Sequence, residues 1–481
     1  LVNSFDKVFM GAAGTPTGAS DDQFNRVSFL SHFEGSNNGV NNAFDDGSTS
    51  NHTITANGNV TQGSFGPFAR PDGEWGVSFD GSGDYLSIAS SADFALGTGD
   101  FTVEFFVYHS TLPSATTYFD YRSSQPQATL YLWLYGDTGA IQLHINGTTR
   151  AFTPPSMLGR WAHIAIARSS GTTKTFVDGT QYLSFSDSTD YVQGSTFTIS
   201  KFFNGNENVN GAISNFRWIK GTAVYTSAFT APTAPLTAVT NTKLLTCQSN
   251  RFVDNSASGH TITPAGNAAV SAFGPILTSK VYNPAVNGAS AYFDGDGDYL
   301  SIANSSDFNL AANDFCFEFW FWSNVIGNYD TVTTQVGTWA IETVSGTMRA
   351  WFSTGTSGTW DLLDAGIMSN TLKLNEWNHL VIARTGNTLK SYHNGAIVYN
   401  SSFSGTVGSS SNVLKVGDYD GHPWNGFIGD FRLTNGSTGG FDVSGSTISV
   451  PTAPLTAITN TKLLLNMADG QAIDSAAQNN L

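Results

Sequence analysis

The segment Phe79-Asp80-Gly81-Ser82-Gly83-Asp84-Tyr85-Leu86-Ser87-Ile88-Ala89 returns 214 positions later as Phe293-Asp294-Gly295-Asp296-Gly297-Asp298-Tyr299-Leu300-Ser301-Ile302-Ala303. Trp161-Ala162-His163 returns as Trp377-Asn378-His379, and Ile213-Ser214-Asn215-Phe216-Arg217 as Ile428-Gly429-Asp430-Phe431-Arg432. Residues 232–245 and 451–464 differ only at Val239 against Ile458. A period above 200 residues is too long for a solenoid of roughly 20- to 50-residue units, so whole domains are repeated and both copies must share one fold. The chain divides into an extended N-terminal arm (1–26), a first unit (27–240), a second unit (241–459) and a segment (460–481) that starts a third repeat or docks onto the second unit. In that last segment Lys462-Leu463-Leu464 matches Lys243-Leu244-Leu245, and Asp474 matches Asp254, so a longer parent chain is expected.

Each unit reads as all-β. Phe101-Thr102-Val103-Glu104-Phe105-Phe106-Val107 alternates with period two, and Phe315, Phe317, Phe319 and Phe321 fall on one face of the equivalent run. Asp178-Gly179 and Asn394-Gly395 sit between β-like runs at matching places, which predicts two-residue hairpins. Only seven of the 37 acids are Glu, the rest Asp, a bias toward turns over helices. Short strands bounded by turn residues, with no long helical pattern, predict tandem jelly-roll β-sandwiches. Thr230-Ala231-Pro232-Thr233-Ala234-Pro235 reads as the linker between them.

The charge balance narrows the function. With 21 Lys+Arg against 37 Asp+Glu and a net charge of -16, the chain lacks the basic surface that nucleic acid needs. No apolar run approaches the roughly 20 residues of a membrane helix, so no membrane insertion is expected. Cys247 and Cys316 are the only thiols and read as small buried apolar residues.

The runs Phe79–Leu86, Asp100–Phe105, Trp161–Ala165, Phe176–Gly179 and Phe216-Arg217 resemble the laminin G-like branch of the concanavalin A-like lectin/glucanase fold. The tail Gly221–Thr233 is similar to the ending of such units in virion proteins of tailed phages, notably marine ones. The resemblance implies a non-enzymatic virion surface protein (tail fibre, spike or capsid-decorating appendage) engaged in spacing and host-surface adhesion. Its expected partners are other virion proteins and a host-surface glycan, in an oligomer. A bacterial secreted or cell-surface adhesin, and the binding module of a polysaccharide-degrading enzyme, are the alternatives.

Glucanases share the fold, and hydrolysis needs two carboxylates across a cleft, about 5 Å or 6.5–9.5 Å apart. The related glucanases carry alternating acids of the Glu-x-Asp-x-x-Glu kind, and this chain has no such cluster. Glu104 and Glu318 stand alone between aromatics, where a solvent-facing or hydrogen-bonded glutamate is expected. His163 and His379 read as core histidines. Asp294-Gly295-Asp296-Gly297-Asp298 begins like a calcium loop, but Tyr299 stands where an EF-hand needs Gly. Since related folds carry structural calcium, Asp294, Asp296 and Asp298, with the recurring Asp46 and Asp254, are the candidate ligands of a structural Ca2+; no other cofactor is required. Sugar binding would use exposed aromatic faces beside polar groups. Tyr131, Trp133 and Tyr135 align on one strand face of the first unit. The second unit has Trp339, Trp351, Trp360 and Trp424 where the first lacks tryptophan, and these four are the candidate glycan-binding residues.

Overall fold

The computed structural model describes residues 44, 46, 50, 52–58, 60–63, 65–124, 127–135, 139–205, 207–276, 284–355, 359–369 and 371–467. The arm at 1–26 and Asp474 lie outside these residues. The described chain forms two β-sandwiches, each of an eight-stranded and a seven-stranded sheet, and every strand pair is antiparallel. Among the described residues the one α-helix is the four-residue Pro284–Asn287.

In the first sandwich the larger sheet runs Thr180–Ser186, Thr172–Val177, Trp161–Ser169, Phe101–His109, Asn210–Lys220, Gly76–Asp80 and Ala269–Ser271, with Thr242–Thr246 also paired to Asn210–Lys220. The second repeats this with Ala396–Ser402, Thr388–His393, Asn378–Thr385, Phe315–Ser323, Asn425–Asn435, Ser290–Asp294 and Thr61–Gly63, plus Thr461–Leu465. Strand alternation builds each core: Phe101, Val103, Phe105 and Val107 point inward in one, Phe315, Phe317, Phe319 and Phe321 in the other. Both expected hairpins are present. Asp178 and Gly179 take φ of 50° and 78°, Asn394 and Gly395 take 50° and 86°, the doubly left-handed geometry whose twist matches the flanking strands.

The sequence boundary at 240/241 does not coincide with a boundary between sandwiches. Strands Thr242–Thr246, Thr263–Ala265 and Ala269–Ser271 all close the first sandwich, although the repeat assigns them to the second unit. Conversely, Ile54–Asn57 and Thr61–Gly63 join Tyr299–Ile302 and Ser290–Asp294 in the second sandwich. The repeat records which residues are equivalent, and pairing is decided by which sheet edge is free. The run Thr230–Pro235 is therefore no interdomain linker. It crosses the first sandwich, held on one side by Phe229 N–H donating to the Gly179 carbonyl (3.0 Å) and on the other by Leu236 N–H donating to Asn215 Oδ1 (2.9 Å).

Candidate functional site

The outer face of the smaller sheet of the second sandwich carries an open cavity. Its strands include Thr331–Gln335, Trp339–Val344, Thr347–Phe352 and Leu363–Gly366. Period-two alternation turns Trp339 and Ile341 to the core and leaves Glu342 and Val344 on the opposite face; on the next strand Met348, Ala350 and Phe352 go in while Arg349 and Trp351 go out. Register sets Glu342 opposite Arg349, and Trp351 opposite Asp364. Loop residues Tyr329, Trp360, Tyr419, Asp420 and His422 complete a cavity of about 450 Å³, within the roughly 300–1,000 Å³ of ligand sites.

Four rings line it in a row: Trp351 lies 6.3 Å from Trp360 and 6.3 Å from Tyr329, and Tyr329 lies 5.5 Å from His422. Tyr329 is held at a left-handed φ of 74° and is 45% exposed, so its ring is accessible to solvent. Arg349 Nε donates to Asp364 Oδ1 at 2.6 Å, with the guanidinium 5.6 Å from the Trp351 ring centre. Burial pushes the Glu342 carboxyl up to about 7, against a weak opposing hydrogen bond from Thr331 Oγ1 at 3.3 Å. Burial also raises the Tyr419 hydroxyl, with the Glu342 and Asp420 carboxylates adding to it.

Of the four tryptophans singled out in the sequence, the structure brings Trp351 and Trp360 together in this cavity. Trp339 and Trp424 are a correction. Both are fully buried, Trp339 edge-on to Phe317 at 5.4 Å and Trp424 edge-on to Phe321 at 5.7 Å, with Trp424 Nε1 donating to the Trp322 carbonyl. The alternation around Trp339 carried the signal, since its strand places it on the face opposite Glu342. The sequence reading also missed Tyr329, Glu342, Arg349, Asp364 and His422, because polar residues on alternate strand positions are ordinary and only cross-strand register gathers them.

The aromatic row of the first sandwich occupies the corresponding face but is packed on itself. Tyr131 stacks on His144 at 4.3 Å, Trp133 meets Phe202 at 5.2 Å, and the Arg122 guanidinium sits 3.4 Å over Tyr131 and 4.7 Å over Phe202. Arg122 is anchored in turn by Asp120, at 2.6 Å.

The strand glutamates are wholly buried. Glu104 accepts from Arg217 Nε (3.0 Å) and Tyr225 Oη (2.8 Å), and pairs with His163 Nε2 (3.1 Å). Burial would raise its carboxyl, but His163 and Arg217 together outweigh that and hold it low. Glu318 has the same partners in His379, at 3.1 Å, and Arg432. These are charge-paired struts between strands; neither lines the cavity.

The five candidate calcium ligands are spread over three places. Asp294 Oδ1 accepts the Asp296 amide (2.8 Å) and Asp298 Oδ2 accepts the Asp294 amide (3.2 Å), an Asp-rich turn tied to its own backbone. Asp254 receives the amides of Leu245 and His260, while Asp46 receives those of Leu464 and His52. Among the described residues no three His, Cys, Asp or Glu side chains gather as a metal site. Cys247 and Cys316 are free and buried in separate clusters, and burial pushes the Cys247 thiol up to about 12. No helix among the described residues is long and apolar enough to cross a membrane.

A family model described as the concanavalin A-like lectin/glucanases superfamily matches residues 80–227 and again 294–442. Among solved structures, the LG4-5 domains of the mouse laminin alpha1 chain are 13% identical, covering 81% of this chain and 95% of that one, with a TM-score of 0.27. A putative carbohydrate binding protein from Bacteroides ovatus is 15% identical over 41% of this chain and 60% of its own, with a TM-score of 0.32. Domain 4 of AbnA, a GH43 extracellular arabinanase from Geobacillus stearothermophilus solved with arabinotriose, is 17% identical over 31% and 72%, with a TM-score of 0.27. No curated protein matches the chain in sequence. Matched twice and over more than half its length, the chain belongs to the concanavalin A-like lectin/glucanases superfamily, as a tandem of laminin G-type domains.

Proposed function

We propose that this is a non-enzymatic adhesion protein that holds a glycan in the cavity of its second sandwich. The observation that carries the reading is the row Tyr329, Trp351 and Trp360 beside Glu342, Arg349, Asp364, Asp420 and His422. Pyranose C–H groups stack on indole and phenol faces, while hydroxyls need carboxylate acceptors and guanidinium or imidazole donors. Three carboxyls face the cavity and its arginine is already engaged by Asp364, so neutral or amino sugars suit it better than acidic ones. The setting we propose is the surface of a tailed-phage virion, on the strength of the Gly221–Thr233 tail, where many weak sites on one appendage would act together. A bacterial surface adhesin and a carbohydrate-binding module would use the same cavity.

One observation favours a second reading. Glu342 faces the cavity with its carboxyl pushed by burial up to about 7, the range of a glycosidase acid, although Asp364 on the same wall is paired with Arg349. The test is a glycan array probed with the full chain, followed by titration of the best neutral ligand and product analysis. Binding without turnover, lost in Trp360→Ala, supports adhesion. Turnover abolished by Glu342→Gln makes it a hydrolase, and silence against every glycan removes the site.

A further inference from the structure

The two sandwiches are closed in different ways. In the first, one continuous stretch supplies every closing part: Thr242–Thr246, then Thr263–Ala265 and Ala269–Ser271 on two sheet edges, then Phe273 against Tyr108 (4.8 Å) and Trp161 (5.1 Å). In the second, the same parts come from opposite ends of the chain. Thr461–Leu465 supplies the first strand, and Ile54–Asn57, Thr61–Gly63 and Phe65 supply the rest, with Phe65 against Trp322 (5.0 Å) and Trp377 (5.5 Å).

The match extends to single bonds. Asp254 takes the Leu245 amide on one oxygen (3.0 Å) and the His260 amide on the other (2.9 Å); Asp46 takes the Leu464 amide (3.0 Å) and the His52 amide (2.9 Å). His260 and Lys243 reach Asp93 at 3.2 Å each, and His52 and Lys462 reach Asp307 at 3.4 and 3.0 Å. Gly266 crosses Asp84 so closely that a Cβ would lie 2.3 Å from its Oδ1, and Gly58 crosses Asp298 with 2.2 Å. The described residues Asp46, His52, Ile54–Asn57, Gly58, Thr61–Gly63 and Phe65 therefore act as a plug, and the second sandwich is its socket.

The head of a repeat closes the sandwich that precedes it in sequence: residues 242–273 follow the first sandwich and close it. Residues 44–65 head the first repeat, yet the socket that fits them lies more than 200 residues downstream. Nothing in this chemistry requires plug and socket to share a chain. We infer that the strands Ile54–Asn57 and Thr61–Gly63 with Phe65 are an exchangeable plug, and that the partner fitting the second sandwich is the same strands of a second copy of this chain, giving strand-exchanged assemblies. The plug strands are only four and three residues long, so little backbone pairing holds them, and the edges they cover are unpaired when they leave. Every bond remade between copies equals one broken within a copy. The balance is then set by protein concentration against the effective concentration of the tether, on the order of millimolar.

The test uses the full chain, unfolded and refolded at about 1 µM and about 200 µM, a range chosen against that effective concentration. Mass is read by light scattering, and exchange by energy transfer between two labelled batches. Oligomers that rise with refolding concentration and transfer energy are expected. Gly58→Val, whose side chain strikes Asp298, should lower that fraction at least tenfold, while Gly266→Val, the equivalent change in the first sandwich, should not. If Gly58→Val does not fold, Phe65→Ala, which empties the Trp322–Trp377 contact, serves in its place. A single-chain mass at both concentrations, or oligomers untouched by the plug variant, overturns the inference.

Discussion

The smaller sheets of the two sandwiches present the same surface with opposite outcomes. By register, Leu132 pairs with Leu143 as Ile341 pairs with Ala350, which sets Tyr131, Trp133 and Tyr135 where the second sandwich has Ala340, Glu342 and Val344. On the next strand His144 stands where Trp351 does. In the first sandwich Tyr131 and Trp133 occupy the positions that border the cavity in the second, covered by Arg122 and Phe202, while Tyr135 stays 40% exposed. The scaffold is shared, so it accounts for the fold; the difference lies in which strand positions carry bulk. Tryptophan content alone is a poor guide to binding, because an indole fills a core as readily as it lines a site.

The largest expected effect separates the two kinds of tryptophan. Trp339→Ala should destabilise the chain by about 4 kcal/mol, because it empties a fully enclosed site beside Phe317. For a domain of this size that is a fall of roughly 10 °C in melting temperature, read by calorimetry. Trp360→Ala, at the cavity rim, should leave the melt nearly unchanged. Equal melts for the two variants would erase the distinction between core and site.

Next comes the buried acid at the position Trp133 holds in the first sandwich. The Glu342 carboxyl has its folded pKa raised from 4.5 to about 7, so the folded state holds the proton more tightly than the unfolded one. Its contribution is fully present below about pH 4.5 and is lost as the pH rises through 7. Glu342→Gln should therefore match the parent near pH 4 and exceed its stability by about 2 kcal/mol at pH 8, a figure reduced for the water that enters the cavity. Urea melts at the two pH values check this. A constant gap between them means that Glu342 does not titrate as a buried acid.

A smaller effect concerns affinity. Removing one stacking ring should cost about 1.4 kcal/mol, a tenfold weakening. Trp360→Ala and Tyr329→Ala should each show it by calorimetric titration with the array's best glycan, while Trp133→Ala in the first sandwich should not. Weakening by Trp133→Ala would move recognition to the face that the structure shows filled.

The fold was largely legible in the sequence, because alternation in Phe315–Phe321 and the Asp178-Gly179 and Asn394-Gly395 turns are local signals. The repeat also located the smaller differences, Trp351 and Trp360 among them. Two things were hidden for the same physical reason, that strand partnership is not local. One is the closing of each sandwich, where Thr61–Gly63 pairs with Ser290–Asp294 across the chain. The other is the polar half of the cavity, where Glu342, Arg349 and Asp364 meet only through cross-strand register. Trp339 was misplaced although its own alternation with Ile341 pointed inward.

The smallest expected effect is that of calcium. A structural ion saturated at 100 times its dissociation constant would add about 2.7 kcal/mol, a clear rise in melting temperature. Calcium prefers six to eight oxygens, whereas Asp46, Asp254, Asp294 and Asp298 each accept a backbone amide and lie in three separate places. Asp294 and Asp298 tie their own turn, and Asp46 and Asp254 clasp Leu464 and Leu245 where the closing strands dock. These bonds hold each carboxylate toward its own backbone and keep the three places apart, so gathering six to eight ligands would need the turns to move. Both sandwiches repeat this use of aspartate, so calcium should affect the two alike. Melts with millimolar calcium and with chelator should then superimpose within about 1 °C, the equivalent of a few tenths of a kcal/mol. A rise of several degrees, lost in Asp296→Asn, would show that the turn opens to coordinate an ion.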